Sequence, residues 1–221
     1  MKLELNEWHD FSSLYYMSSN KKDVPEQYTG SESNTEDSVT FNNEKQAKEF
    51  FRIVKNRLLY VNSWNQISGA ASAKFCLTDK TGNYVNRSVT EGDHFEINIP
   101  APGSVTGDGR DWVQVESVEE NHNNSEESVT IKVHPATNPR NKKSDVAHFF
   151  SEEASSSFIV KRKNNTITAG VYGRNEKPNT DAKSVIDKAR NTAIAAGAIG
   201  GFSKLQWKNL LKGLLKQDDK K

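Results

Sequence analysis

Short stretches in the middle of the chain alternate between apolar and polar residues, and this period of two constrains the fold more than any other feature. One face of each stretch is apolar and the other is polar, which is typical of an antiparallel sheet with one covered face. No long helical pattern separates the stretches, which also favours antiparallel pairing. The alternation predicts strands at residues 73–78, 94–99, 112–116, 129–134, 158–161 and 167–172.

A helical pattern precedes these strands. Apolar residues recur there at three- and four-residue spacing, which predicts an amphipathic helix. Asn43 is the expected N-cap, with Gln46 three residues later as its reciprocal partner, and residues 39–41 form a candidate short strand just before it. The apolar stripe of this helix consists of Ala47, Phe50, Phe51, Val54, Leu58 and Val61.

The chain ends in a second helical region, which Gly200 and Gly201 interrupt. Thr180 is a candidate cap for its first part, and Ser203 is a candidate cap for its second part, which runs through Lys216. The expected inward stripe of the first part consists of Ala182, Val185, Ile186, Ala189, Ala193 and Ala196.

Composition divides the chain into four parts. Residues 18–38 are almost wholly polar and predict a mobile linker, because they bury too little apolar surface to offset chain entropy. Residues 1–17 carry several aromatic and aliphatic side chains and are interpreted as a docking segment. Residues 39–216 form the single predicted domain, and residues 217–221 form a frayed tail.

The charge and the cysteine content exclude several classes of protein. The net charge is only +1, which argues against a dedicated nucleic-acid-binding protein. The one cysteine, Cys76, cannot form an intrachain disulfide, and the most apolar stretch is far shorter than a membrane span. These features predict a soluble, cytoplasmic protein without a transmembrane segment.

Taken together, the patterns predict an α+β fold. A curved antiparallel sheet of five to seven strands packs on a long, broken C-terminal helix, and one helix lies N-terminal to the sheet. This order of elements over residues 39–216, with residues 50–54 leading to Trp64, resembles the helix-grip fold of START and Bet v 1-like proteins. The resemblance implies that the curved sheet wraps around the C-terminal helix and leaves an apolar cavity.

The chemically active residue types form no catalytic constellation in the sequence. His94 and Glu96 share the polar face of one strand and are candidates for an acid–base pair, but the alternation alone explains them as part of a solvated face, which is the preferred interpretation. Cys76 is expected to be a passive thiol, and the glycine-rich residues 103–109 lack the ending of a phosphate-binding loop. His148 precedes three serines without a nucleophile-elbow motif. No histidine pair has a metal-binding spacing, so neither a metal nor a cofactor is predicted.

Two groups of residues are candidates for binding. The first group, for a small molecule held between the sheet and the C-terminal helix, consists of Trp64, Arg174, Glu176, Ala189 and Ala193. The second group lies on the last helix, where lysines recur every fourth residue beside an apolar arc. It consists of Lys204, Trp207, Lys208, Leu211, Lys212 and Leu215. Such a basic amphipathic helix either docks a partner or packs its apolar arc into the core behind a rim of lysines.

We therefore hypothesise from the sequence a non-enzymatic intracellular protein that binds an apolar small molecule between the sheet and the C-terminal helix. The alternative is a protein–protein interaction module of a larger assembly, which uses the basic C-terminal helix. A hydrolase is the third interpretation. It is the weakest because no nucleophile, base and orienting group fall together in the sequence.

Overall fold

The computed structural model describes residues 23–69, 73–123, 125–141, 145–197 and 203–217. One seven-stranded sheet forms the centre of the protein, and every neighbouring pair of its strands is antiparallel. The strands are β1 (Ser31–Thr40), β2 (Lys74–Thr78), β3 (His94–Asn98), β4 (Asp111–His122), β5 (Glu126–Pro135), β6 (Ser155–Lys163) and β7 (Thr166–Glu176). The helices are α1 (Glu44–Leu59), α2 (Trp64–Ser68), α3 (Val185–Gly197) and α4 (Ser203–Leu214). The predicted α+β fold is confirmed.

The strand order, β1-β7-β6-β5-β4-β3-β2, follows the chain except for β1, which lies beside the last strand. One face of the sheet, here called the inner face, carries the apolar residues of the alternating pattern and packs against the helices. Its buried side chains include Phe75, Phe95, Ile131, Phe158 and Val171. The predicted alternation therefore identified the covered face correctly.

The predicted linker at residues 18–38 is wrong for residues 31–38, which form most of β1 and pair with β7. The polar composition misled because an edge strand is stabilised by backbone hydrogen bonds on one side and needs little burial of its side chains. Residues before β1 are also anchored, since the Asn175 side-chain oxygen accepts hydrogen bonds from the backbone N–H groups of Tyr28 and Thr29. The predicted docking segment, residues 1–17, lies outside the described residues.

The sheet closes around α4 from both edges. At one edge α4 contacts β1. Towards the other edge the Trp207 ring lies against Phe75 of β2, with ring centroids 6.0 Å apart. The guanidinium of Arg57 in α1 donates to the carbonyl oxygen of Leu214 at 2.9 Å, which satisfies one of the free carbonyls at the end of α4. This enclosure of the last helix by the sheet gives the protein a helix-grip-like architecture.

The crossing of α4 over α2 depends on Gly213. A Cβ atom at that position would lie 2.2 Å from the carbonyl oxygen of Ile67, which is closer than any side chain tolerates. The missing side chain therefore allows the two helices to touch through their backbones. The close approach seats four buried leucines of the C-terminal region in the core: Leu210, Leu211, Leu214 and Leu215.

The predicted inward stripe of α3 is wrong for every residue except Ala182, which precedes the helix and is buried. Val185 and Ile186 are 79% and 70% exposed, and the polar residues Asp187 and Arg190 are buried instead. The helix also begins later than expected. Ser184, rather than Thr180, accepts a hydrogen bond from the backbone N–H group of Asp187 at 3.2 Å. No helix within the described ranges is long and apolar enough to span a membrane.

Candidate functional site: an apolar cavity beneath the C-terminal helices

A cavity of about 300 Å³ lies between the inner face of the sheet and the helices α3 and α4. This volume is at the lower end of the range for small-molecule sites in proteins. Eighteen residues line it: Phe75, Phe95, Ile97, Ile99, Pro100, Ala101, Val113, Val133, His148, Phe149, Phe150, Ser156, Phe158, Glu176, Ile194, Gly197, Gln206 and Trp207.

The apolar wall of the cavity follows from the period-two alternation. Phe95 and Ile97 are two residues apart on β3, so both point to the inner face, and Val113 of β4 pairs with Phe95 across the ladder. Trp207 of α4 extends this wall beside Phe158, with the two rings in edge-to-face contact and their centroids 5.3 Å apart. The cavity is therefore built from side chains that the strand pattern and the last helix bring together.

Trp64 supports this wall from behind. Its ring packs against Phe75, Phe95 and Phe158, with centroids 5.4, 5.7 and 4.9 Å away, and these three rings line the cavity. The indole N–H donates to the carbonyl oxygen of Leu58 at 3.1 Å, so the buried polar group of Trp64 is satisfied. Trp64 thus holds the cavity wall but does not itself line the cavity.

A bulge in β7 brings Glu176 to the cavity. Ser31 and Ser33 of β1 pair with Glu176 and Gly173, so β7 advances one residue more than β1 over this interval. Asn175 within the bulge has a positive φ of 57°, and the extra residue turns Glu176 to the same face as Gly173. A Cβ atom on Gly173 would lie 2.1 Å from the Glu176 carboxyl oxygen, so glycine makes room for this carboxyl group.

The Glu176 carboxyl group is buried and has few protein partners. Its Oε1 atom accepts a hydrogen bond from the Ser33 hydroxyl at 3.2 Å. Burial raises the pKa of Glu176, while the Ser33 hydroxyl and the positive charge of Arg174 act in the opposite direction. A carboxyl group with a raised pKa facing an apolar cavity is a typical feature of a binding site.

His148 is the second ionisable group that lines the cavity. Its Nδ1 atom accepts a hydrogen bond from the backbone N–H group of Phe150 at 3.0 Å, and its ring stacks on Phe149 with centroids 4.2 Å apart. Burial lowers the pKa of His148 from 6.5 to about 4, so the imidazole is neutral at pH 7. Because Nδ1 accepts, the neutral ring carries its proton on Nε2.

A buried ion pair fixes α3 over the cavity. The Arg190 guanidinium contacts both carboxylate oxygens of Asp111, at 3.1 and 2.5 Å, and its Nε atom donates to the carbonyl oxygen of Pro102. One turn earlier, the Asp187 carboxylate accepts hydrogen bonds from the backbone N–H groups of Val105 and Thr106. These contacts position Ile194 and Gly197, on the following turns of α3, at the cavity.

The structure places the predicted ligand-binding residues apart from one another. Only Glu176 lines the cavity. Arg174 points away from it and donates to the Asn34 side chain at 2.8 Å, while Ala189 and Ala193 lie on the exposed side of α3. The prediction that Ala189 and Ala193 face the sheet is therefore wrong, because α3 is held by its polar side.

The residues predicted for a partner on α4 divide into two sets. Trp207 lines the cavity, and Leu211 and Leu215 belong to the hydrophobic core. The three lysines of the set remain exposed: Lys204, Lys208 and Lys212. The structure therefore matches the alternative in which this helix packs its apolar arc into the core behind a rim of lysines.

Sequence reasoning did not place His148, Ser156 or Gln206 at the cavity. The period of β6 could have placed Ser156, because it lies two residues before the inward-facing Phe158. Gln206 is one residue before Trp207, and its side-chain oxygen accepts a hydrogen bond from the backbone N–H group of Ala73. His148 reaches the cavity from an irregular segment, for which no periodic signal exists.

The other chemically active residues are on the outer face of the sheet or outside the cavity. Cys76 and Glu96 are cross-strand partners on β2 and β3, on the face opposite Phe75 and Phe95. Burial raises the pKa of Cys76, and the neighbouring Glu96 raises it further, so the thiol is not activated. Glu96 is itself held by Arg140, at 2.7 Å. In the part of the chain that the structure describes, no group of three or more potential metal ligands occurs.

Comparison with solved structures finds distant likenesses of fold. A hypothetical protein from Helicobacter pylori is 13% identical with a TM-score of 0.44, and the match covers 96% of each chain. A truncated norcoclaurine synthase from Thalictrum flavum is 10% identical with a TM-score of 0.38, over 88% of this chain and 100% of that one. The major latex-like protein 151 from Panax ginseng is 16% identical with a TM-score of 0.33, over 77% and 96% of the two chains.

The synthase and the latex-like protein have Bet v 1-like folds. At TM-scores this low the likenesses support no inference about the site, so the site is argued from its own geometry. No protein-family model matches the chain, and no curated protein matches its sequence.

Proposed function

We propose that this protein is a non-enzymatic binding protein that holds an apolar small molecule in the cavity between the sheet and the C-terminal helices. The observation that carries the proposal is a cavity of about 300 Å³ whose lining is mostly aromatic and aliphatic. Protein interiors are normally close-packed, so an apolar space of this size beside the core is suited to a small-molecule ligand. A few polar groups at the edge of such a cavity would orient the ligand.

The proposal is tested by titrating the full chain with N-phenyl-1-naphthylamine, an uncharged apolar fluorophore. We expect saturable binding, with energy transfer from Trp207, which lines the cavity, and from Trp64 behind its wall. Val133→Phe would place an aromatic ring in the cavity and should weaken binding about tenfold or more. Val105→Phe is the matched control, because Val105 is 59% exposed and does not line the cavity. Unchanged binding by the Val133→Phe protein would contradict the proposal.

The alternative function, an interaction module that uses the basic C-terminal helix, stays a prediction. Leu211 and Leu215 are part of the core, so a partner would contact the exposed side of the helix, where Leu205 is 61% exposed beside the lysines. Charge reversal of Lys204, Lys208 and Lys212 tests this alternative without disturbing the core. Deletion of the helix does not, since removing four buried leucines is expected to unfold the domain.

A further inference from the structure

The described residues that line the cavity can supply negative charge to a ligand at pH 7 but no positive charge. Glu176 is the only carboxyl group among the lining residues that the structure describes, and no lysine or arginine is among them. His148 is neutral at pH 7 because its pKa is lowered to about 4. The cavity therefore offers a ligand one group capable of negative charge, surrounded by apolar side chains and a neutral imidazole.

The hydrogen-bonding capacity of Glu176 is mostly unused by the protein. An ionised carboxylate accepts about four hydrogen bonds. Within the described ranges, Glu176 accepts one, from the Ser33 hydroxyl at 3.2 Å. Arg174, the nearest cation on the same strand, donates instead to Asn34 at 2.8 Å and to the backbone carbonyl of Gly173. A bound ligand can therefore supply further hydrogen-bond donors to this carboxyl group.

We propose that the cavity selects an apolar ligand that carries one basic amine, and that the ammonium group of the ligand pairs with Glu176. The inference rests on the proposed binding function and adds the chemical class of the ligand. The apolar body of the ligand lies against Phe158 and Trp207, whose rings touch edge to face in the cavity wall. The amine end lies at the β7 bulge, where Gly173 leaves room for the carboxyl group.

The chemistry of the site favours a ligand with an amine over a ligand with a carboxylate or a hydroxyl group. An ammonium group donates charge-assisted hydrogen bonds, which are about twice as strong as neutral ones. A carboxylate ligand would be repelled by Glu176 and would find no cation among the lining residues of the described chain. An alcohol would gain a single neutral hydrogen bond. Burial raises the pKa of Glu176, and a cation bound beside it favours the ionised form again.

Three ligands of equal ring size distinguish these cases: 1-naphthylmethylamine, 1-naphthylmethanol and 1-naphthoate. We expect the amine to bind the full chain about tenfold or more tightly than the alcohol, and the acid to bind most weakly, in calorimetric titrations at pH 7.5. Equal affinity for all three would overturn the amine inference and leave the binding function standing. Binding of none of the three, nor of the uncharged fluorophore, would overturn both.

The variant Glu176→Gln tests whether Glu176 is the residue that selects the amine. Glu176→Gln keeps the shape of the side chain and removes its charge, so we expect it to lower the amine affinity about tenfold and to change the alcohol affinity by less than about twofold. Glu153→Gln is the matched control, since Glu153 pairs with Lys177 at 3.2 Å and does not line the cavity. Amine affinity that is the same in the Glu176→Gln protein and the unaltered chain would overturn the proposal. The ligand series on the unaltered chain tests it independently of how the variant folds.

Discussion

The two C-terminal helices bury opposite kinds of residue, although each carries an apolar stripe. α4 turns its leucines into the core, whereas α3 leaves Val185 and Ile186 exposed and buries Asp187 and Arg190. The difference comes from the surfaces that the helices meet. α4 lies on α2 and on the apolar inner face of the sheet, but the first turns of α3 lie on a loop that presents backbone N–H and C=O groups. An apolar stripe therefore predicts the buried face of a helix only where the opposing surface is apolar.

The polar attachment of α3 makes its stability depend on a few specific contacts. Asp111 is fully buried, and Arg190 is its ion-pair partner. A buried pair of this kind contributes little compared with an apolar pair of the same shape, but the loss of one partner leaves an uncompensated charge. The leucines of α4, in contrast, contribute through area and packing, so each loss is felt in proportion to the space that it leaves.

The largest effect is expected from Arg190→Met, which leaves Asp111 buried without its partner. We expect the free energy of unfolding to fall by about 3 to 5 kcal/mol in urea denaturation. Lys188→Met is the control, because Lys188 lies exposed on the same helix. The double variant Asp111→Leu with Arg190→Met should recover most of the loss, since it removes both charges. A small effect of Arg190→Met alone would show that α3 is not held by its polar side.

The packing of α4 is tested by Leu214→Ala. Leu214 is 1% exposed, so its truncation should lower the free energy of unfolding by about 2 to 5 kcal/mol. The matched substitution on α3 is Ile186→Ala, for which we expect a change within about 0.5 kcal/mol because Ile186 is 70% exposed. Equal losses for the two variants, measured by chemical denaturation, would contradict the contrast between the helices.

The same contrast explains how far the sequence predicted the fold. Where an apolar pattern meets an apolar partner, as in α1, α4 and the inner face of the sheet, the pattern placed the residues correctly. Where polar groups meet, as in α3 and in β1, composition was misleading because hydrogen-bond partners come from distant parts of the chain. Asp111 and Arg190 are far apart in sequence, and no periodicity links them.

The candidate site shows the same limit on a smaller scale. The aromatic wall of the cavity follows from alternation, and Trp207 follows from the helical stripe of α4. The side on which Glu176 lies follows from neither, since it depends on the extra residue in the β7 bulge. Glu176 was predicted for its position beside the last strand, at the mouth of a cavity, and the bulge is the physical reason that its side chain reaches the cavity.

Acid should weaken the region beneath α3 through His148, which lines the cavity near the Asp111–Arg190 pair. Burial lowers the pKa of His148 to about 4 in the folded protein, whereas the unfolded chain titrates near the ordinary value of 6.5. Below pH 6.5 the unfolded state therefore binds more protons than the folded state, and stability falls as the pH is lowered towards 4. The full stabilisation from the neutral imidazole is present above pH 6.5.

We expect this histidine to account for a loss on the order of 3 kcal/mol between pH 6.5 and about pH 4. His148→Asn keeps an acceptor for the Phe150 N–H group and removes the titrating ring, so the free energy of unfolding of this variant should fall less over the same interval. The difference between the two pH profiles isolates His148 from the carboxylates that titrate in the same range. Parallel profiles would mean that the imidazole accepts a proton without unfolding the protein. In that case the buried site of His148 accommodates a charged imidazole, and the attachment of α3 does not depend on keeping this ring neutral.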